Sequence, residues 1–419
     1  MDWRNRIGIY GAYLLGMAGI GFTLPYLPLF LRQHEMSDRA IGIASTVAAL
    51  AGLAQFPLGV WSDRIGRRKP FLIVALAVLA AATWLLRDVQ SVVWLGLLVV
   101  LFAENGLCRA SAESLFGAEV AQLATPGKVG AALGALRFWK PVGVIAMAIT
   151  GGLIAERFGI ESILVPLTVV QILAVIAALL IHEVKPPSAA DPKVPTLEPE
   201  MGSDPQGLGL KDGVLWMFVV AMVLFHVANA PGGVYLGLFL RTDLGGSDKL
   251  LSWTFVISNV TWMLVVIPAG RLADRLGRKP LLIAGWAAMT VRLVLVALAS
   301  APWQVLTAQV LDGAAQGLFI VAAAAWVMDR IAGHKRIGEA QVIVGCSLVA
   351  GSAIGPTLAG FAIEAVGYRG MFALLAGVGS IATAILVIAI PEATASRRNQ
   401  PESEKVGAES RRAPLVRSA

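Results

Sequence analysis

Two stretches of this sequence match each other: GVWSDRIGRRKP at 59–70 and GRLADRLGRKP at 270–280. In each, a glycine is followed four residues later by aspartate, then by a basic residue, a second glycine, further basic residues and proline. A second match relates GGLIAERFG at 151–159 to AGFAIEAVG at 359–367. Both pairs are separated by roughly 210 residues, so the chain contains an internal duplication in parallel order. Such repeats are typical of transporters whose substrate site lies between the two halves.

The composition places this duplication in a membrane. Of the 419 residues, 57% are hydrophobic and 15% are charged, whereas soluble proteins are about 25% charged. The mean hydropathy is +0.73. These values exclude a soluble enzyme and a disordered protein. The two cysteines, Cys108 and Cys346, lie in apolar runs and form neither a disulfide framework nor a metal-ligand spacing.

Twelve apolar runs are long enough to be membrane helices, which need roughly 20 residues. We predict an all-α membrane protein with an N-terminal six-helix bundle (1–182), a cytoplasmic linker (183–213), a C-terminal six-helix bundle (214–391) and a disordered cytoplasmic tail (392–419). The predicted spans are 7–30, 40–61, 70–86, 91–112, 129–155, 161–181, 214–240, 250–270, 280–299, 303–327, 337–363 and 368–390.

The basic residues are unevenly distributed between the loops. Most of the 34 Lys and Arg residues lie on the side that carries both repeated loops, the linker and the two chain ends. The positive-inside rule then places both termini in the cytoplasm. This asymmetry explains the net charge of +7 without a nucleic-acid partner. The short loops and compact size suggest a multi-pass protein of the bacterial inner membrane.

The loop at 59–69 resembles the signature loop of the major facilitator superfamily, and 270–279 resembles its degenerate repeat. The resemblance covers about residues 7–391 and implies the fold of that superfamily, with two pseudo-symmetric six-helix bundles. It also implies a carrier that works by alternating access, with Asp63 facing the start of the eleventh span near Ile337. We expect a small-molecule substrate, coupling to protons, a monomer in the lipid bilayer, and no catalytic residue, metal or cofactor. The expected gating residues are Gly59, Asp63, Arg64, Gly66, Arg67, Asp274, Arg275, Gly277 and Arg278.

Ionisable residues inside spans are costly in a bilayer and therefore mark candidate sites. In the first half, Glu104 lies deep in the fourth span, and Arg137 and Lys140 lie at a similar depth in the fifth. They are candidates for an anion site or a proton site, with a structural charge clamp as the alternative. Arg109 and Glu113 are four residues apart near the cytoplasmic end, where the spacing favours a structural pair.

In the second half, Asp312 lies near the middle of the tenth span and is the first candidate for a proton-carrying carboxylate. Arg292 in the ninth span is at a comparable depth, so the two residues can also form a structural pair. Gln316 lies one turn beyond Asp312. His226 and Asn229 lie in the seventh span, before Pro231-Gly232-Gly233, a sequence that predicts a broken or bent helix. A packing role for His226 is the simpler interpretation.

Three functions remain open. The first is a proton-coupled exporter of amphipathic, drug-like compounds that uses Glu104 or Asp312. The second is a proton-coupled importer of a small polar or anionic metabolite held by Arg137 and Lys140. The third is a membrane sensor that does not transport. The cationic pair favours the second. The superfamily's antiporter signature is poorly matched in the fifth span and better matched by GSAIGPTLAG at 351–360 in the eleventh, which weakens the first. No nucleotide-binding loop, zinc-protease motif or nucleophile elbow is found.

Overall fold

The computed structural model describes residues 3–89, 91–124, 129–182, 212–330 and 337–392, and every regular element in them is helical. We number the helices α1 to α12 by membrane span. In the N-terminal half they are α1 (Trp3–Thr23 and Leu27–Gln33), α2 (Asp38–Ala51, continued by Gly52–Ala54 and Gln55–Ile65), α3 (Lys69–Leu85), α4 (Val92–Phe102 and Leu107–Leu123), α5 (Val129–Phe158) and α6 (Ile160–Ile163 and Leu164–Leu179). In the C-terminal half they are α7 (Gly213–Thr242), α8 (Asp248–Leu276), α9 (Arg278–Leu298), α10 (Pro302–Arg330), and α11 and α12, which share Ile337–Ala389.

The helices account for the twelve predicted spans. Nine helices of the described chain are long and apolar enough to cross a membrane, and α1 makes a tenth when its two parts, bent by 48°, are taken together. Helix α3 is apolar but shorter. The segment Ile337–Ala389 contains a non-helical turn at Gly367 (φ 71°), which separates α11 from α12. The prediction of an all-helical membrane fold is confirmed. Most of the predicted linker and tail lie outside the described residues.

Equivalent local signals begin and end the helices of the two halves. Ser37 and Ser247 cap α2 and α8, because each side chain accepts a hydrogen bond from a first-turn amide, Ala40 N at 3.2 Å and Leu250 N at 3.3 Å. In the repeated loops, Gly66 (φ 69°) and Gly277 (φ 96°) adopt the left-handed conformation that favours glycine. The second glycine of each signature loop therefore forms the turn between two helices.

The two halves meet through α2 packed on α11, α5 packed on α8, and the end of α1 packed on α7. Many large apolar side chains face outward, with Leu264 at 69% and Ile388 at 84% exposure. An outward apolar surface of this kind is solvated by lipid. Of the two outcomes predicted at Pro231, a broken or a bent helix, the break does not occur: α7 is continuous through this residue. Gly232 instead makes room for a neighbouring arginine, since a Cβ there would lie 3.0 Å from Arg292 Nη1.

Candidate functional site

Helix α4 is interrupted at residues 103–106, and Glu104 lies in this interruption. Gly52 of α2 packs against the carbonyl of Asn105, where a larger residue would clash. Glu104 is half-buried and makes no hydrogen bond or ion pair with any residue of the described chain. Its charge lies within electrostatic reach of Lys140, Glu113 and Arg109. The break thus places an unpaired carboxylate among charged side chains.

Glu113 of α4 forms the main charge cluster of the N-terminal half with α5 and α1. Lys140 Nζ donates to its two carboxylate oxygens at 3.1 and 2.9 Å, and the Tyr13 hydroxyl donates to Oε1 at 3.3 Å. Lys140 and Glu113 are partly exposed, at 28% and 36%. The predicted pair of Arg109 and Glu113 is therefore wrong. The spacing along one helix allowed it, but a lysine from the next helix reaches Glu113 with better geometry.

Arg109 is fully buried, and it forms no ion pair with a carboxylate of the described residues. Its Nη1 donates to Thr23 Oγ1 of α1 at 3.1 Å, and its guanidinium lies 5.2 Å from the ring centre of Phe102. Nε and Nη2 have no hydrogen-bond partner among the described residues. The guanidinium fits because of Gly19, where a Cβ would lie only 2.5 Å from Nη2. Arg109 thus remains inside the bundle and does not extend to the helix end.

Arg137 lies one turn before Lys140 on α5. Its side chain is exposed and forms no ion pair with a described residue. The expected pair of cations is therefore reduced to one, because Lys140 is neutralised by Glu113. Near this charge cluster, Arg137 is therefore the cation of α5 without an ion-pair partner in the described chain.

In the C-terminal half, Asp312 and Arg292 form the predicted pair between α10 and α9. Arg292 Nη1 lies 3.4 Å from Asp312 Oδ1, and Arg292 Nη2 donates to Gln309 Oε1 at 3.2 Å. The other oxygen of Asp312 accepts from Ser258 Oγ of α8 at 2.5 Å and from Gln316 Nε2 at 3.4 Å. Arg292 and Asp312 are buried, at 2% and 7% exposure. Three helices thus saturate this carboxylate, and Asp312 is a poor proton carrier in this conformation.

His226 of α7 is packed among aromatic rings. Its ring centre lies 5.3 Å from that of Phe225 and 4.9 Å from that of Phe319. Gly351 of α11 packs against its Cβ. Its Nε2 is buried without a hydrogen-bond partner in the described chain. Asn229 lies half-buried one turn further on, and neither residue joins the charge clusters.

The signature loops lie at one end of the molecule, here called the signature-loop end. The side chains of Asp63 and Asp274 and the loop before Ile337 fall outside the described residues. Gly59 does not mediate a close approach, because a Cβ there would have no atom within 4 Å. Arg64, Arg67 and Arg275 are exposed.

Other basic residues of the signature loops bind neighbouring helices, a role that membrane topology alone does not require. Arg278 Nε lies 3.0 Å from Asp329 at the end of α10. Lys69 and Lys279 donate to carbonyls near the ends of α6 and α12, Leu179 O at 2.8 Å and Val387 O at 2.9 Å. These equivalent bonds join the signature loop of each half to the last helix of that half.

Most of the described hydrogen bonds between the halves lie at the opposite end, here called the far end. Thr46 adds bonds to Ala353 and Thr357 of α11 two turns further along α2. Tyr235 of α7 donates to Asp38 O at 2.8 Å, and Tyr26 of α1 donates to Asp248 O at 3.1 Å. Arg39 of α2 pairs with Glu364 of α11. None of these residues is among the predicted site residues, although Tyr26 and Asp38 have equivalents in Tyr235 and Asp248 at matching places in the duplication. The halves are therefore joined at the far end.

Comparisons with known proteins agree with this architecture. A model described as the MFS_1 like family matches residues 7–374. The MFS-type transporter Rv2456c of Mycobacterium tuberculosis is 28% identical over 88% of this chain and 88% of its own length. The multi-drug resistance efflux pump PmrA of Streptococcus pneumoniae is 27% identical over 89% of this chain and 92% of its own. The crystal structure of the nucleoside transporter NupG superposes with a TM-score of 0.76 at 14% identity, covering 92% of this chain and 98% of that one.

Proposed function

The chain belongs to the MFS_1-like family of the major facilitator superfamily and is a multi-pass secondary transporter, and on that premise we propose that it exports amphipathic, drug-like compounds in exchange for protons. The observation that carries the proposal is the neutralisation of Lys140 by Glu113. Because Lys140 is paired, only Arg137 of the two predicted cations is left to bind an anionic metabolite. Similarity to an efflux pump over nine-tenths of both chains supports the same direction.

Glu104 is the proposed proton carrier. Three carboxylates inside the spans are candidates. Glu113 is paired with Lys140 and Asp312 with Arg292, whereas Glu104 has no bonded partner in the described chain. Arg109, which lacks a carboxylate of its own, balances the negative charge that appears when Glu104 loses its proton. The break in α4 gives this carboxylate the freedom to change partners.

Alternating access follows from the contacts between halves. The far-end contacts close that side, so the signature-loop end is the side from which solute enters in this conformation. The distribution of basic residues supports a cytoplasmic location for this end and for both chain termini, in a bacterial inner membrane. The two six-helix bundles move about a central site, and the solute crosses unchanged in a monomeric carrier.

The test is transport by proteoliposomes loaded with ethidium as a model lipophilic cation. An imposed pH gradient should drive ethidium against its concentration gradient in the wild-type protein. Glu104→Gln should abolish the gradient-driven flux but retain downhill ethidium movement. Glu161→Gln, which removes an exposed carboxylate at the far end, is the matched control. Gradient-driven flux at the wild-type rate in Glu104→Gln overturns the assignment of Glu104, and no ethidium flux with any gradient counts against export.

Import of a small anion is the second candidate, and the exposed, unpaired Arg137 favours it. If it is correct, organic anions will raise the melting temperature of the purified protein and Arg137→Gln will remove that effect. A ligand at 100 times its dissociation constant adds about 2.7 kcal/mol of stability. The same screen with lipophilic cations separates the two functions.

A further inference from the structure

Two lines of contact between the halves close the far end, and the internal duplication relates them. We call them the α2–α11 seam and the α5–α8 seam after the helices that meet there. Each seam contains a tyrosine that begins a repeated sequence, YLPLFLR or YLGLFLR. The Tyr235 hydroxyl donates to Asp38 O of α2 at 2.8 Å, and the Tyr26 hydroxyl donates to Asp248 O of α8 at 3.1 Å. The two seams can therefore be compared residue by residue.

The α2–α11 seam has further polar contacts between the halves. Arg39 of α2 pairs with Glu364 of α11. The hydroxyls of Thr46 and Thr357 lie 2.6 Å apart, and Thr46 also donates to Ala353 O. An ion pair and a threonine pair therefore reinforce the tyrosine contact of this seam.

The α5–α8 seam lacks both of these reinforcements in the described chain. Lys249 and Glu156 stand at the positions equivalent to the ion pair, but both are exposed and neither forms an ion pair with a described residue. Val256 and Ile149 stand at the positions equivalent to the two threonines and carry no hydroxyl. Symmetric backbones thus carry different side chains at the two seams.

The aspartates at the starts of α2 and α8 also differ. Asp38 Oδ1 accepts from the Tyr368 hydroxyl of the other half at 2.8 Å. The residue equivalent to Tyr368 is Ile160, which also follows a left-handed glycine but has no hydroxyl. Asp248 Oδ1 consequently has no hydrogen-bond partner in the described chain, and Arg241, 3.7 Å away, belongs to the same half. The Asp248 side chain therefore adds no bond across its seam.

The backbones approach more closely at the α2–α11 seam. Gly42 of α2 lies against Pro356 O, where any side chain would clash. The residue of α8 equivalent to Gly42 is Ser252, and its hydroxyl fills the space that Gly152 of α5 leaves. A side chain thus separates the two helices at the second seam.

A cavity of about 440 Å³ lies at the α5–α8 seam. Its lining includes Ala155 and Glu156 of α5, the adjacent Ile160, and Asp248 of α8. Atoms that face a cavity have no packing partner on that side, so their dispersion attraction across the seam is lost. The α5–α8 seam is therefore weaker than the α2–α11 seam in ion pairing, in hydrogen bonding and in packing.

We propose that the far-end gate opens asymmetrically: the α5–α8 seam separates, and the α2–α11 seam is the hinge about which the halves turn. The least stable contacts of a fold are the ones that open first. The inference rests on the alternating access of the proposed function. It requires neither export nor a drug-like substrate, so its test needs no solute.

Hydrogen exchange of the full-length protein in lipid nanodiscs compares the two seams. A separating seam admits water to both of its helices, so residues 248–256 of α8 and 148–156 of α5 should exchange together. After correction for intrinsic rates, both should exchange at least about tenfold faster than 38–46 of α2 and 356–364 of α11. The reason is that the α2–α11 seam must break several additional bonds, each of which changes an opening equilibrium about fivefold.

Moving one hydroxyl between the seams tests the cause of the difference. Ile160→Tyr supplies a hydroxyl on the wall that Asp248 shares, and the cavity has room for the larger ring. Ile160→Phe is the matched control, because it adds the ring without the hydroxyl. Exchange at the α5–α8 seam should be about fivefold slower in Ile160→Tyr than in Ile160→Phe. Tyr368→Phe should accelerate exchange at the α2–α11 seam by a similar factor and leave the α5–α8 seam unchanged.

Equal exchange at the two seams of the wild type overturns the inference. Equal exchange in Ile160→Tyr and Ile160→Phe does so too. Fast exchange in α8 without α5 also overturns it, because that result means local fraying of one helix end. None of these results concerns ethidium, so the proposed exporter survives them. Conversely, an absence of ethidium flux in proteoliposomes counts against export but leaves a measured difference between the seams intact.

Discussion

Arg109 and Arg292 are both buried arginines inside spans, but only Arg292 faces a carboxylate. Arg292 is surrounded by Asp312, Gln309 and Met289. Arg109 has a threonine hydroxyl, an aromatic ring and two N–H groups without acceptors in the described chain. In the first arrangement the charge is neutralised by Asp312, and only Nε has no hydrogen-bond partner in the described chain. The second carries an excess charge, which we interpret as a requirement of the transport cycle.

The largest effect on stability is expected at Arg292. Arg292→Met leaves Asp312 buried without its cation, and breaking one side of such a pair costs about 3–5 kcal/mol. Thermal unfolding of the purified protein measures this loss. The double variant Arg292→Met, Asp312→Leu should recover most of it, because no buried charge remains. A double variant as unstable as the single one would mean that the pair is not a closed structural unit.

Arg109→Met should change the stability little and reduce transport strongly. We expect the free energy of unfolding to change by less than about 1 kcal/mol, because lost contacts to Thr23 and Phe102 are offset by removal of unsatisfied buried N–H groups. Gradient-driven ethidium transport should nevertheless fall, since Glu104 would lose the one nearby cation that is not already paired with a carboxylate. The comparison between the two arginines fails if Arg109→Met destabilises the protein as strongly as Arg292→Met does.

The smallest effect is expected at a charge pair outside the membrane. Arg330 donates to both carboxylate oxygens of Asp212, at 2.6 and 2.9 Å, and this hydrogen bonding holds the pKa of Asp212 below its ordinary value. The stability that this pair gives the folded protein is therefore present at neutral pH, and it is progressively lost as the pH falls below about 4. Because both side chains are partly exposed, Asp212→Asn should cost about 1 kcal/mol or less.

Melting curves of the wild type and Asp212→Asn across a pH series measure this difference. The difference between the two should shrink steadily as the pH falls below about 4. A difference that does not shrink with falling pH would show that the aspartate acts through its hydrogen bonds to the first-turn amides of α7 rather than through its charge.

The duplication predicts the fold because it repeats turn glycines, capping serines and apolar runs whose effects are local. Charge partners are harder to predict, because a spacing of four residues shows that two side chains can meet but not that a third is absent. The spacing of Arg109 and Glu113, for example, could not show that Lys140 of another helix contacts Glu113. The break in α4 did have a local signal, the turn-forming pair Asn105-Gly106, which the apolar length of the span obscured.

Pro231 shows that a sequence signal for a break does not always produce one. A proline within a helix removes one backbone donor, but the surrounding helices hold α7 continuous. The contacts of the candidate site depend on long-range packing, which no single stretch of sequence reveals. The number and order of the helices depend on local sequence and could therefore be predicted.

The end of α12 has a consequence for the order in which the protein is made. The Glu392 carboxylate accepts from the backbone amide of Arg278, 114 positions earlier, at 2.8 Å, and Trp326 donates to Pro391 O at 3.1 Å. The start of α9 therefore gains this cap only after the ribosome has synthesised the last helix. The N-terminal half closes with the bond from Lys69 to Leu179, well before α7 is translated. During biosynthesis the first half can therefore be complete in the membrane while the second half still lacks Pro391 and Glu392.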